Sequence, residues 1–123
     1  MEKVNLAQKF STIADYYNPR IAGEINDSYV KLVKLKGEFV WHHHDVEDEL
    51  FFVVKGTLRM LWKEGGHERE TRVSPGEFLI MPHGVEHKPV ADEEVHLMLL
   101  EPKTTLNTGN LRNERTVADL QRI

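Results

Sequence analysis

The chain has 123 residues, enough for one domain with a single core, and its 40% hydrophobic and 29% charged residues exclude disordered, collagen-like and low-complexity classes. A net charge of −4, with acidic and basic residues interspersed, leaves no basic face for nucleic acid, and no apolar run approaches the roughly 18 residues of a membrane span. The absence of cysteine excludes disulfides and thiolate metal sites, and the polar start Met1–Asn5 leads into no signal-peptide core, so a cytoplasmic protein is expected.

Taken in chain order, the first element is a helix over about residues 5–14. Leu6, Phe10 and Ile13 recur on one helical face, Asn5 suits the N-cap, and Gln8 stands where a capping-box partner would. Asn18-Pro19 ends it. The texture then turns to β-branched and aromatic runs. Strands are expected at Tyr29–Lys36, Phe39–His44, Glu49–Val54, Thr57–Lys63, Glu68–Val73, Phe78–Met81, Val85–Val90 and Val95–Glu101. Lys55-Gly56, Glu64-Gly65-Gly66 and Ser74-Pro75-Gly76 supply the turns between them. Short strands so spaced predict an all-β antiparallel sandwich or barrel with its core over about residues 28–101. Residues 102–115 read as loop, and Thr116 as the N-cap of a last short helix carrying Val117 and Leu120. With no linker and no internal repeat, one domain is expected over residues 1–123.

The chemistry concentrates in two stretches. In Trp41-His42-His43-His44, period-two alternation sends His42 and His44 to one strand face and His43 to the other. The acidic turn Asp45–Asp48 then returns Glu49 on the next strand. His87 arrives from a separate hairpin, Pro82-His83-Gly84. Three imidazole nitrogens and one carboxylate oxygen suit one divalent transition metal, whether Fe, Mn, Ni, Zn or Cu. A solvated histidine run is the plain alternative. His43, His67 and His83 are assigned to it, and His96 joins the pocket only if its strand face points inward.

With those residues quoted, the chain resembles the cupin superfamily. Its two motifs, G(X)5HXH(X)3,4E(X)6G and G(X)5PXG(X)2H(X)3N, are matched by His42, His44, Glu49 and Gly56, and by Gly76, Pro82, Gly84 and His87. Gly37 lies one residue too close to His42, and Ala91 stands where the second motif has asparagine, which puts local turn geometry in question. The resemblance implies a jelly-roll barrel (a double-stranded β-helix) with short helical segments at both termini. It implies a metal held by His42, His44, Glu49 and His87, a small-molecule ligand or substrate, and pairing into a homodimer. Phe52 and Val54, facing opposite to Glu49, are candidates for that pairing or for core.

The function so implied is metal-dependent action on a small polar molecule, such as a sugar or sugar acid, of isomerase, epimerase or lyase type. The alternatives are an Fe-dependent dioxygenase and a non-catalytic module that binds or senses a small ligand. Val40, Phe51, Met60, Phe78 and Met98 are the expected pocket lining, and Arg59 a solvated charge. No general base is visible beyond the four ligand candidates.

Overall fold

The computed structural model describes residues 1–123. After one helix, α1 (Leu6–Phe10), come eight strands: β1 (Arg20–Ile25), β2 (Ser28–Glu38), β3 (Glu49–Lys55), β4 (Leu58–Glu64), β5 (His67–Val73), β6 (Phe78–Met81), β7 (His87–Pro102) and β8 (Gln121–Arg122). Hydrogen bonding runs in the order β5-β4-β7-β2-β1-β8, with β3 added to β7 and β6 to β3. This is the all-β jelly roll expected.

The two strands expected at Val85–Val90 and Val95–Glu101 are one, and its shape organises the molecule. Along β2, Leu35 pairs with Val95 and Gly37 with Ala91, so Asp92, Glu93 and Glu94 stand opposite Lys36 alone. Extra residues on one strand bend it and increase its twist. The halves of β7 on either side of that bulge therefore take different partners. His87–Val90 pair with β4, whereas Leu97–Leu100 pair with β3. The two departures from the family motifs, Gly37 and Ala91, are partners at this corner.

Burial alternates as the pleat requires. Phe51 and Val53 of β3, Leu58 and Met60 of β4, and Val95, Leu97 and Leu99 of β7 share one twelve-residue core with Val33 and Leu35 of β2. A second cluster, Phe10, Ile13 and Leu32 with Val54 and Met98 against it, lies beneath the N-terminal helix, so Val54 is packing rather than a dimer contact.

Three expected elements differ. The helix ends at Phe10 rather than Ala14, because the Ser11 and Thr12 hydroxyls donate back to the carbonyls of Gln8 and Lys9 and close the segment as a turn. The Asn5 cap is present, accepting from the Gln8 amide at 3.0 Å. Phe39–His44 is not a strand; only His42 bridges, to His87. Pro89 explains it: its carbonyl accepts from the Phe39 amide, but it has no N–H to return, so the ladder breaks there.

The expected C-terminal helix is also replaced. Asn107 Oδ1 takes the Val117 amide at 2.9 Å, and the Thr116 hydroxyl accepts from the Asn113 amide at 3.0 Å, so these donors and caps are spent on turns. The chain then ends in β8, parallel to β1. Strand β1 itself was not expected; its polar outer end, Gly23-Glu24, hides the pattern that the Asn26-Asp27 hairpin turn completes.

Gly56 is a turn glycine with no room for change. Its φ is +82°, and an added Cβ would sit 2.4 Å from the Glu94 carbonyl oxygen at the β7 bulge. Gly56→Ala is expected to lower unfolding free energy by about 2–4 kcal/mol, left-handed backbone strain adding to overpacking. A urea titration measures it, and a loss within experimental error would mean that the corner is not rigid.

Candidate metal centre

The break after β2 releases the segment carrying His42 and His44 so that it can cross the mouth of the barrel, while backbone bonds in both directions tie His42 to His87 at 3.0 and 2.9 Å. Glu49 opens β3. All four predicted residues are buried: His42 4% exposed, His44 3%, Glu49 5% and His87 1%. One potential ligand atom from each lies within 4.8 Å of all the others. His43 points away, as strand parity required even without a strand, and its ring bonds Asp45 at 2.9 Å. His83 pairs with Asp48, and His96 stacks on Phe10 while bonding Glu94, so neither enters the site. Arg59 bridges Glu70 and Asp92 at the surface.

Hydrogen bonding orients the rings. Nδ1 of His42 donates to the Val40 carbonyl and Nδ1 of His87 to the Val85 carbonyl, each at 2.9 Å. That tautomer leaves both Nε2 lone pairs free and aimed at the cluster. His44 Nε2 stands 2.8 Å from Glu49 Oε1, and His87 Nε2 stands 3.4 Å from the same oxygen. Those contacts are close but not aligned as hydrogen bonds, so both ring nitrogens of His44, Nε2 of His87 and Oε1 of Glu49 are buried without a partner. Unpartnered buried polar atoms are costly, about 1–3 kcal/mol each. A divalent cation would satisfy them together, and the donor set fits one.

Protonation states favour the same use. Burial, and then the charge of His87, pull the His42 imidazole down to about 4, so it stays neutral at neutral pH. Burial alone would raise the Glu49 carboxyl, but the Glu101 carboxyl and the His44 and His87 imidazoles beside it outweigh burial and hold Glu49 well below the usual range. Metal ligation requires both of these forms.

Below the cluster lies a cavity of about 50 Å³. Val33, Leu35, Phe39, Phe51, Leu97 and Leu99 form most of its wall, with Tyr17 and Asn107 at its edge and His42, Glu49 and Glu101 as its polar members. Of the lining expected from sequence only Phe51 is present. Met60 is sealed in the core, Met98 packs under α1, Val40 is half-buried and Phe78 is exposed. Sequence reasoning missed Glu101 altogether. It is 3% exposed and bonded to the equally buried Lys31 at 2.6 Å. The signal was strand parity: Val95, Leu97 and Leu99 face inward, and Glu101 continues their row.

The irregular C-terminal segment closes over the ligand loop. Asn110 accepts from the His43 amide through Oδ1 at 2.9 Å and donates its own amide to the His43 carbonyl at 3.0 Å. Gly109, at φ +57°, passes so close that a Cβ would lie 2.1 Å from the His43 carbonyl oxygen and 3.1 Å from the His42 ring. Gly109→Ala is expected to weaken metal affinity about 10–100-fold, as loss of ligand-orienting contacts does, with the fold retained by circular dichroism. Competition with a chromogenic chelator reads this out.

A second expectation concerns pH. The folded-state value of about 4 for His42 lies below the ordinary 6.5, so between the two the unfolded chain binds the extra proton. Stability of the metal-free protein is therefore full above 6.5 and falls as pH drops toward 4, by up to about 3 kcal/mol. Urea titrations across that window measure the slope. It should flatten in His42→Asn, and an unchanged slope would rule out His42 as its source.

Comparison with known proteins agrees with the fold. Residues 30–102 match the Cupin domain family model. The uncharacterized protein YdbB of Bacillus subtilis (strain 168) is 39% identical over 66 residues, 53% of this chain and 55% of that protein, so the match spans about half the length of this curated relative. The crystal structure of a cupin-2 domain containing protein from Shewanella frigidimarina NCIMB 400 superposes with a TM-score of 0.76 at 42% identity, covering 81% of this chain and 94% of that one. Hydroquinone 1,2-dioxygenase from Sphingomonas sp. TTNP3, with 4-hydroxybenzoate bound, gives a TM-score of 0.74 at 20% identity over 84% of this chain and 32% of that one, a likeness of fold alone. With the family model covering most of the chain and the histidine–glutamate cluster in place, the protein belongs to the cupin family.

Proposed function

We propose that the protein is a mononuclear metal enzyme in which His42, His44, Glu49 and His87 hold one divalent transition metal. Its substrate is a small molecule with an apolar body and an oxygen-bearing head. The observation that carries this is the convergence of four buried donors, several of them unpartnered, two of which, His42 and Glu49, line a small cavity with a mainly apolar wall. A metal there supplies a Lewis-acidic centre that keeps positions open for substrate or water.

Size and lining decide between the reactions considered. A cavity of about 50 Å³ is well under the roughly 150 Å³ that accepts a benzene ring, and aliphatic and aromatic side chains dominate it. A sugar ring carries hydroxyls on every side and would strand them against this wall. The cavity admits only the hydroxyl-bearing edge of a phenolic or enolic compound, with the ring or other remainder at the Tyr17 edge. That favours dioxygen-dependent cleavage over sugar isomerisation. The dioxygenase that shares the fold was crystallised with a phenol of this type, 4-hydroxybenzoate.

Protein purified without added metal should contain close to one equivalent of a first-row transition metal, and His87→Ala should lose it, by elemental analysis. Fe(II)-loaded protein should consume oxygen with members of a panel of small phenols and enediols and leave aldoses and uronates unchanged. Turnover of the sugars without oxygen uptake would reverse the assignment. Binding of the panel with no turnover at all would leave a sensing module.

The outer face of β3 and β6 supports pairing of two copies. Leu50 lies opposite Ile80 and Phe52 opposite Phe78; Phe78 and Ile80 are 58% and 55% exposed. An exposed apolar stripe of this kind marks an interface. A homodimer is expected by light scattering, with Phe78→Glu/Ile80→Lys monomeric and still folded. An unchanged mass would exclude this face.

A further inference from the structure

Tyr17 is shared by two hollows. It edges the apolar cavity at the metal centre, and it lines an open polar groove of about 460 Å³ with Asp15, Lys36, Glu114 and Arg115. Its backbone is held at φ +56°, a conformation that a bulky residue seldom adopts and that concentrates at ligand-binding sites. The Tyr17 amide donates to the Lys34 carbonyl at 2.9 Å and the hydroxyl to the Gly37 carbonyl, so the residue is tied at both ends while its ring stacks on Phe39.

Arg115 lies over this aromatic lip, its guanidinium 5.3 Å from the Tyr17 ring centre and 5.7 Å from that of Phe39. Its backbone is anchored on both sides: the amide donates to Asn113 Oδ1 and the carbonyl accepts from Asn107 Nδ2, each at 2.8 Å. Stacking uses the face of a guanidinium and leaves the N–H donors in its plane free. No carboxylate claims them. Asp15 is paired with Arg20 at 3.0 Å, and Glu38, near the Tyr17 hydroxyl, with Lys88 at 2.6 Å. Arg115 and Lys36 are therefore balanced in the groove only by the exposed Glu114. Tyr17 and Arg115 both lie outside residues 30–102, the stretch that matches the family, so this feature belongs to the chain and not to the common fold.

We propose that Arg115 is a specificity-determining residue that binds the carboxylate of an acidic substrate at the rim of the metal cavity. The substrate class is a small phenolic or enolic acid. Its hydroxyl-bearing edge enters the cavity, its body lies along Tyr17, and its carboxylate takes the in-plane donors of Arg115 in the groove. A guanidinium fork matches a carboxylate through parallel, charge-assisted hydrogen bonds, which a neutral analogue cannot reproduce. This inference rests on the metal site proposed above and adds the charge of the substrate to it.

The test uses the full chain loaded with Zn(II), which binds without redox turnover, and calorimetric titration at neutral pH. The probes are 4-hydroxybenzoate and 4-hydroxybenzamide, nearly isosteric phenols that differ in charge. Wild-type protein should bind the acid at least about 10-fold more tightly than the amide, the scale of one hydrogen bond between charged groups. Added salt should shrink that ratio. Arg115→Gln should keep its Zn(II) and bind both probes alike, whereas Arg115→Lys, which retains the charge without the fork, should keep part of the preference. A purely structural Arg115 would instead lower the thermal midpoint, or weaken both probes equally, and leave the ratio as in wild type; that result overturns the proposal. So does wild-type protein that takes up Zn(II) but binds both probes equally or neither, and the metal site then stands without it. Failure to take up Zn(II), read separately by elemental analysis, would remove the metal reading first and this inference with it.

Discussion

The architecture depends on one bent strand. From His87 to Glu101, β7 advances fourteen residue steps, roughly 46 Å of chain if straight. Yet both ends reach the same residue: His87 Nε2 lies 3.4 Å from Glu49 Oε1, and Glu101 stands across from Glu49 in the β3–β7 pair, where both line the cavity. The strand can do this only because Asp92, Glu93 and Glu94 bulge out against Lys36 and fold its two halves toward one interior. Gly56 admits the corner by offering no Cβ to the Glu94 carbonyl. A motif separated in sequence becomes a cluster in space through that corner, and the rest of the barrel supplies walls to it.

The site is also where the core departs from ordinary economy. The twelve-residue cluster buries only apolar side chains, whereas the adjoining volume buries three imidazoles, two carboxylates and an ammonium. Such groups are rare inside proteins unless paired or coordinated. Their placement is not diffuse. His42 and His87 are oriented by backbone carbonyls, Glu101 by Lys31, and the loop holding His42 and His44 by the Asn110 amide and side chain. His42 and His87 each have one bond that fixes the ring and one nitrogen directed at the cluster, where the unpartnered nitrogens of His44 and Oε1 of Glu49 also lie. That division of labour belongs to a binding centre more than to a structural network, in which every atom would be satisfied.

Much of this was legible in the sequence because hydrophobic alternation and ligand spacing are local signals. The strands at Glu49–Lys55, Leu58–Glu64 and Phe78–Met81 fall where β-branched and aromatic runs predicted them, and the four ligand candidates come together as their spacing implied. What failed depended on distant partners. Pro89 breaks the ladder opposite Phe39, so a sequence that looks like a strand is instead a crossing segment. Asn107 captures the amide of Val117, so a cap-and-helix pattern becomes a turn. β8 exists only because β1 offers it an edge. Glu101 and Lys31 were overlooked for a different reason. Charged residues in a strand are assigned to solvent by default, although both continue an inward-facing row, Lys31 with Val33 and Leu35, Glu101 with Leu97 and Leu99.

The C-terminal segment shows how little regular structure a functional element needs. Between Pro102 and β8 it forms only turns, but Thr108 is fully buried and bonds both the Leu111 carbonyl and the Thr116 hydroxyl. Asn107 binds on both sides of Arg115, donating to its carbonyl and accepting from the Val117 amide, and the Arg115 guanidinium rests over the Tyr17 and Phe39 rings. Those rings stack on each other at 4.9 Å and belong to the cavity wall. The segment thus presses on the site at two points, the ligand loop through Gly109 and Asn110 and the aromatic edge through Arg115. Side-chain hydrogen bonds, not a helix or strand, carry that pressure. Amides and hydroxyls spaced a few residues apart can close such turns wherever the chain needs them. A barrel with an open mouth can therefore have its metal ligands braced by residues that no strand pattern would single out.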